Sequence, residues 1–412
     1  MAVRIPAGCL MYAVYTKIEY LPKKRKMKSM KRIIRITLYV CACVLLVTSM
    51  CCCDGDVSDE TGNSGDTSAI PITEEENAET SAEETVSSIF DGDVSGFEFT
   101  QAEVCTDTIP QKIYSAFFKK AAKTDITVPG LPEYFVPQGM DMWDEEGVLI
   151  ISGYFNPTDK YQYSVLFAVD AESGEYVGEW KLYEKNGSPH SGHDGGVAVT
   201  ETDIYLSTSS TLFRISLENV RNVGNHGNLT FDETIGVPVR ASYCNYSCGI
   251  LWVGEFSLQG NSSYTITGHD YSGNHAWTVG YRLGEDGKIG SSPDIVISTP
   301  EKIQGFTMLE DGRIFMTCSY GRTNDSTVYI TKSALLEGES ASTVKISGKN
   351  VPIYYTKSYE TVNAIPMTEG CTARGGTAYI LFESGAYYYR DASSNKAKYP
   401  TDKIWTFDVS GD

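Results

Sequence analysis

Nowhere in this chain is there a Gly-x-Ser-x-Gly elbow, a His-Glu-x-x-His pair or a glycine-rich phosphate loop. Their absence excludes the hydrolase, zinc-peptidase and nucleotide readings built on those motifs. Histidine is scarce, with 5 residues in 412. None accompanies the cysteines at ligand spacing, so a structural zinc site is not expected. Basic charge is also in deficit: Lys and Arg number 34 against 53 Asp and Glu, for a net charge of −19. So acidic a chain repels phosphate backbones, and no nucleic acid is expected as a partner.

What basic charge there is sits at the start. Residues 1–35 hold ten Lys or Arg against one Glu. The basic stretch 23–32 runs into the apolar stretch 36–50 and then Cys51, Cys52 and Cys53. That order is an export signal, with residues 1–53 as signal and membrane anchor. Two readings of the anchor stand side by side. One is a bacterial lipoprotein signal with Cys51 lipidated; the other is an uncleaved helix near the lower length limit for spanning a bilayer. Both place the chain beyond Cys53 on the extracytoplasmic face of a bacterial cell membrane, which is then a partner through the anchor. Residues 54–97 hold thirteen Asp or Glu and no Lys or Arg. With so few apolar residues they are read as a disordered acidic stalk. Residues 98–412 form the remaining domain, with a net charge of −15.

Within that domain a short unit recurs. A polar residue and a Gly are followed by apolar residues, a turn and a β-rich run: Gln138-Gly-Met-Asp-Met then 148–153, Gly195-Gly-Val-Ala-Val then 204–208, Gln304-Gly-Phe-Thr-Met then 314–318, Glu369-Gly-Cys-Thr-Ala then 378–382. A degenerate copy begins at Arg240. Repeats of a few tens of residues made of short strands mark a β-propeller. The expected fold is all-β: a propeller of five blades, with six as the alternative, preceded by a short helix capped by Thr108 with Pro110 in its first turn. The outer strands are placed at 175–183, 232–239, 294–299 and 351–357. The fifth blade shows three strands only, at 370–374, 377–383 and 403–409. An open ring would leave two bare edges, so the strand 124–128 is expected to complete the last sheet.

Five cysteines fall in this domain: Cys105, Cys244, Cys248, Cys318 and Cys371. An oxidising compartment would allow two disulfides and one free thiol, and Cys244 and Cys248 have the spacing to close a small loop.

In a propeller the start of each innermost strand lies at one mouth of the central channel. The repeats bring Gln138, Arg240, Gln304 and Glu369 to that mouth, with His193 and Asp194 just before Gly195. Strand starts and the ends of the next strands share a face, so Tyr154, Glu255, Arg322 and Glu383 are expected to wall it. Aromatic, carboxylate and guanidinium groups together suit a carbohydrate or peptide platform. The alternative is structural: side chains capping backbone groups around a water-filled shaft, with Glu383 and Arg322 paired between blades. His190 and His193 form the one histidine pair at metal-like spacing, which a hydrogen-bonded turn also explains.

In order along the chain, 136–140, 192–199, Val253-Gly-Glu-Phe, Ile303-Gln-Gly-Phe, Cys318-Ser-Tyr-Gly-Arg322, Thr368-Glu-Gly and 381–386 resemble a family of uncharacterised secreted bacterial β-propeller proteins, distantly gluconolactonase-like. The resemblance covers about residues 130–410 and implies an exported propeller without supplying an activity. Gluconolactonase-like propellers hold calcium, and Glu369-Gly370 matches the first of their ligands; the Asn and Asp partners are absent at the aligned positions. Five-bladed glutaminyl cyclases have a strand start like Gln138-Gly-Met, and none of their other motifs is present here. The functional expectation is an anchored binding module that offers its channel mouth to a glycan, peptide or small ligand, without a cofactor unless calcium. The alternative is a metal-dependent hydrolase, lactonase- or esterase-like, using Glu369, His193 and Asp194.

Overall fold

The computed structural model describes residues 88–156, 159–337 and 340–410. The export signal, Cys51 and the acidic segment up to residue 87 lie outside the described residues. Among those described, no helix is long and apolar enough to cross a membrane.

The strands form five sheets arranged as the blades of a five-bladed β-propeller. Blade one, from the channel outward, is Phe135–Trp143, Val148–Phe155, Val165–Asp170 and Tyr176–Tyr183. Blade two is Gly196–Val199, Asp203–Thr208, Thr211–Ser216 and Glu233–Gly236. Blade three is Tyr243–Ser247, Ile250–Gly254, Ala276–Arg282 and Ile295–Thr299. Blade four is Ile303–Met308, Ile314–Cys318, Ser326–Thr331 and Tyr359–Ala364. Blade five is Thr368–Arg374, Thr377–Phe382 and Lys403–Asp408, completed by the N-terminal strand Ala121–Thr127. Ala121 pairs with Phe407 and Thr127 with Lys403, so the ring is closed by the strand the sequence marked for it.

Two expectations are corrected. The stretch placed as blade four's outer strand belongs elsewhere: Lys349–Tyr354 runs parallel to blade three's outer strand, pairing Ile353 with Val296, and hairpins with Ser342–Ile346. Tyr359–Ala364 takes its place in blade four. The N-terminal helix is shorter than expected. It spans Ser115–Lys120 with Tyr114 at its N-cap, and Thr108 caps nothing there. Phe117 is fully buried while Ile113 is 57% exposed, because the chain only becomes helical after Tyr114. Residues 88–97, the end of the stretch assigned to the stalk, lie on blade one. Phe90 packs edge-on to Trp143 and Trp180 at 5.8 and 5.9 Å.

Burying both faces of every blade is what the alternating apolar residues achieve. The apolar core falls into five clusters, each between two neighbouring blades. Blade one meets blade two through Ile150, Leu166, Trp180, Val197 and Leu206, and blade five meets blade one through Leu381, Ile404, Met140 and Leu149. Cys105, Cys244, Cys318 and Cys371 are free thiols, so Cys244 does not close the small loop.

The repeat's glycine has a steric cause. Innermost strands come closest at the channel, and a Cβ on Gly196 would sit 2.1 Å from the backbone nitrogen of Cys244 in the next blade. No side-chain movement relieves a clash with backbone. Gly196→Ala is therefore expected to destabilise the domain by about 2 kcal/mol or more. Thermal unfolding of the variant checks this, and an unchanged midpoint would refute the close-approach argument.

A candidate binding site at the channel mouth

Each innermost strand is reached through one non-glycine residue in the left-handed region: Tyr134, Asp194, Ala241, Lys302 and Met367, with φ of 76°, 45°, 50°, 63° and 69°. Five sharp, costly turns thus ring one mouth of the channel. In three blades the pairing register also slips by a residue just inside the turn, between Pro137 and Gly139, Ile303 and Gly305, and Thr368 and Cys371. A β-bulge of this kind re-aims a side chain. Here it aims Gln138, Gln304 and Glu369 into the mouth.

The mouth is a cavity of about 830 Å³. Of the ten residues singled out from sequence, Gln138, Tyr154, His193, Arg240, Gln304, Arg322, Glu369 and Glu383 line it together. Two do not. Asp194 is fully buried, its Oδ1 2.9 Å from His190 Nε2, while His190 Nδ1 meets Glu184 at 2.6 Å. Burial acts to lower the His190 pKa, but the two carboxylates raise it overall, so this is an ion-paired turn. Glu255 is likewise buried, accepting from Trp277 N at 3.0 Å and lying 2.7 Å from His269 Nδ1. His269 in turn stacks on Trp277.

The metal-dependent reading needs Glu369, His193 and Asp194 on one point. Asp194 turns to His190, and His193 stacks on Tyr154 with ring centres 4.2 Å apart. Among the described residues no group of three His, Cys, Asp or Glu side chains is placed to hold a metal ion. The donor set does not fit that reading.

What converges instead is a pair of carboxyls. Glu369 and Glu383 hydrogen-bond each other. Gln304 Nε2 donates to Glu369 Oε1 at 3.2 Å, and Gln138 Nε2 to Glu383 Oε2 at 3.1 Å. The Tyr389 hydroxyl lies 3.1 Å from that of Tyr154, beside the pair. Burial pushes Glu383 up to about 7, with the hydrogen bonds from Tyr389 and Gln138 and the nearby Arg322 charge acting against it. Glu369 is raised well above the carboxylate range by burial and then by the Glu383 charge. Raised together, two interacting buried carboxyls favour a shared proton over two full charges. Burial also raises the Tyr154 and Tyr389 hydroxyls, with the two carboxylates adding to it.

The opposite wall is aromatic. Phe256 lies 5.3 Å from Tyr264 and 6.0 Å from Tyr320, ring centre to ring centre. Tyr264 and Tyr320 are 43% and 47% exposed, and Ser209, Ser210 and Ser263 stand around them. Tyr389 was missed as a site residue. It sits in the π-helical turn Tyr388–Ala392, and the sequence signal was the tyrosine run 387–389 in a loop after a blade strand.

No family model and no curated protein matches this chain. Among solved structures it is similar to Myxococcus xanthus glutaminyl cyclase, at 12% identity over 70% of this chain and 97% of that one, TM-score 0.36. It is similar to the PQQ-bound aldose sugar dehydrogenase of Streptomyces coelicolor, at 12% identity over 76% and 99%, TM-score 0.39. It is also similar to regucalcin, a calcium-binding protein of Agrobacterium tumefaciens, at 11% identity over 67% and 92%, TM-score 0.32. These likenesses do not extend to activity.

Proposed function

We propose that this propeller is an extracytoplasmic glycan-binding module whose channel mouth holds the sugar. The observation that carries the reading is the two-walled cavity: the exposed rings of Tyr264 and Tyr320, backed by Phe256, on one side, amide and carboxyl groups of Gln138, Gln304, Glu369 and Glu383 on the other. Aromatic faces suit the apolar C–H face of a pyranose. Paired amides and carboxyls suit its hydroxyls, which both donate and accept. The volume lies within the range of sites that enclose a small ligand.

Cleavage of the sugar is disfavoured by the same geometry. Retaining glycosidases separate their carboxyls by about 5 Å, and inverting ones by more, to admit the anomeric centre and water. Glu369 and Glu383 instead engage each other directly, which leaves no place for such a centre between them. A screen of immobilised oligosaccharides, followed by calorimetry on the hits, tests the proposal. Wild type is expected to bind at least one sugar class, with the Tyr264→Ala, Tyr320→Ala double variant about tenfold or more weaker. Absence of any binding at millimolar sugar, or an unweakened double variant, refutes it. Released reducing ends in the same incubations would revive the hydrolase reading.

A further inference from the structure

We infer that the floor of the channel mouth recognises a protonated amine, so that the glycan it takes carries an amino sugar with a free amino group. The inference rests on the glycan reading and names its ligand class. Its ground is a charge imbalance inside a cavity. Glu369 is 3% exposed, it interacts directly with Glu383, and each carboxyl is held by one amide, Gln304 on Glu369 and Gln138 on Glu383.

Every charged or titratable group facing the pair can be named. Tyr154 and Tyr389 are neutral. His193 stacks beyond Tyr154 and is held below its usual pKa by burial. Arg322 is the cation nearest to Glu383, and it is committed elsewhere. Its guanidinium lies over the rings of Tyr388 and Tyr389 at 5.1 and 4.6 Å and bonds Ser393 and Asn395 O. Arg240, at the aromatic side, donates to Ser262 O. Neither carboxyl has an ion-pair partner among the described residues. A buried pair in that state retains excess negative charge, relieved now by a shared proton.

An ammonium group brings what the proton supplies and more. It is a full positive charge with three donors, and two carboxylates with the Tyr154 or Tyr389 oxygen are three acceptors. The flanking tyrosine rings add a cation–π face. An acetylated nitrogen has one N–H and no charge, and its acetyl group would meet the closed pair. The distinction between free and acetylated amine is therefore the one this floor is built to make.

The test is calorimetric titration of the domain, in EDTA at pH 7 and 0.15 M salt, with glucosamine tetrasaccharide and its fully N-acetylated counterpart. Wild type is expected to bind the free-amine form about tenfold or more tighter. Glu369→Gln and, separately, Glu383→Gln should shrink that ratio to about threefold or less. The control is Glu145→Gln, which removes one exposed surface charge and should leave the ratio unchanged; it separates the pocket from the field of an acidic chain. Equal affinities for the two sugars in wild type, or a ratio that persists in both pocket variants, overturn the inference while the glycan reading stands. Failure of both sugars, together with an empty oligosaccharide screen, removes the glycan reading itself.

Discussion

Asp141→Ala is expected to lower the stability of the domain by on the order of 5 kcal/mol. Asp141 is fully buried on blade one's innermost strand, three residues on from Gln138. Its Oδ1 accepts from Met142 N at 2.9 Å, Asn245 Nδ2 at 3.1 Å and Thr372 Oγ1 at 2.7 Å. Its Oδ2 accepts from Val199 N at 3.0 Å and Tyr246 N at 3.1 Å, and Arg374 lies 3.6 Å away. One carboxylate thereby ties the innermost strands of blades one, two, three and five. Burial pushes its pKa up, while Arg374, Thr372 and the backbone donors act to hold it charged. With alanine there, buried N–H groups of three strands lose their acceptor, at about 1–3 kcal/mol each before relaxation. Asp141→Asn keeps one acceptor oxygen and should fall between. Urea denaturation at pH 7 measures all three proteins. A loss below about 1 kcal/mol for the alanine variant would mean that the blades hold register without this contact.

The difference between Asp141 and the residues chosen from sequence shows where the reading of the chain stopped. Blade number, ring order and the closing strand were legible because each stems from local alternation and from the steric need for glycine near the channel. Which outer strand completes which blade was not. The stretches 349–354 and 359–364 have similar β-rich composition and are only four residues apart, and only the distant pairing of Ile353 with Val296 decides that the first joins blade three. His193 and Asp194 are neighbours with opposite fates: φ of 45° at Asp194 turns its carboxylate inward to His190 while His193 faces the cavity. Glu255 was misplaced because its partner, His269, arrives on a loop fourteen residues later. Asp141 went unnoticed because its six partners come from four blades, which no spacing in one strand encodes. The bulges were equally invisible, yet the Gln-Gly and Glu-Gly pairs that mark them were the most conspicuous feature of the repeat.

Wild-type stability is expected to fall as pH rises from about 4.5 to about 7, and Glu369→Gln is expected to remove the share of that fall that Glu369 carries. The sign comes from the direction of the shifts. Both carboxyls titrate higher in the folded protein than the ordinary 4.5, Glu383 at about 7. Between those values the folded state binds more protons than the unfolded one, so raising the pH favours unfolding. The stability carried by the shared proton is complete below about 4.5 and gone above about 7, a change of about 3 kcal/mol for a group shifted that far. His190, raised by Asp194 and Glu184, also loses its contribution as pH rises. The informative quantity is therefore the difference between wild type and variant, in which His190 cancels. Glutamine at 369 keeps the size and a donor for Glu383 and removes the raised titration of Glu369 itself, while burial still holds Glu383 up. The variant should match wild type near pH 5 and exceed its melting temperature by several degrees at pH 8. A substitution that stabilises the fold at the floor of the channel-mouth cavity would mark the pair as kept for what it binds rather than for the fold. Melting curves that stay parallel from pH 5 to pH 8 would show that the two carboxyls do not share a proton, and the charge imbalance at the channel mouth would go with them.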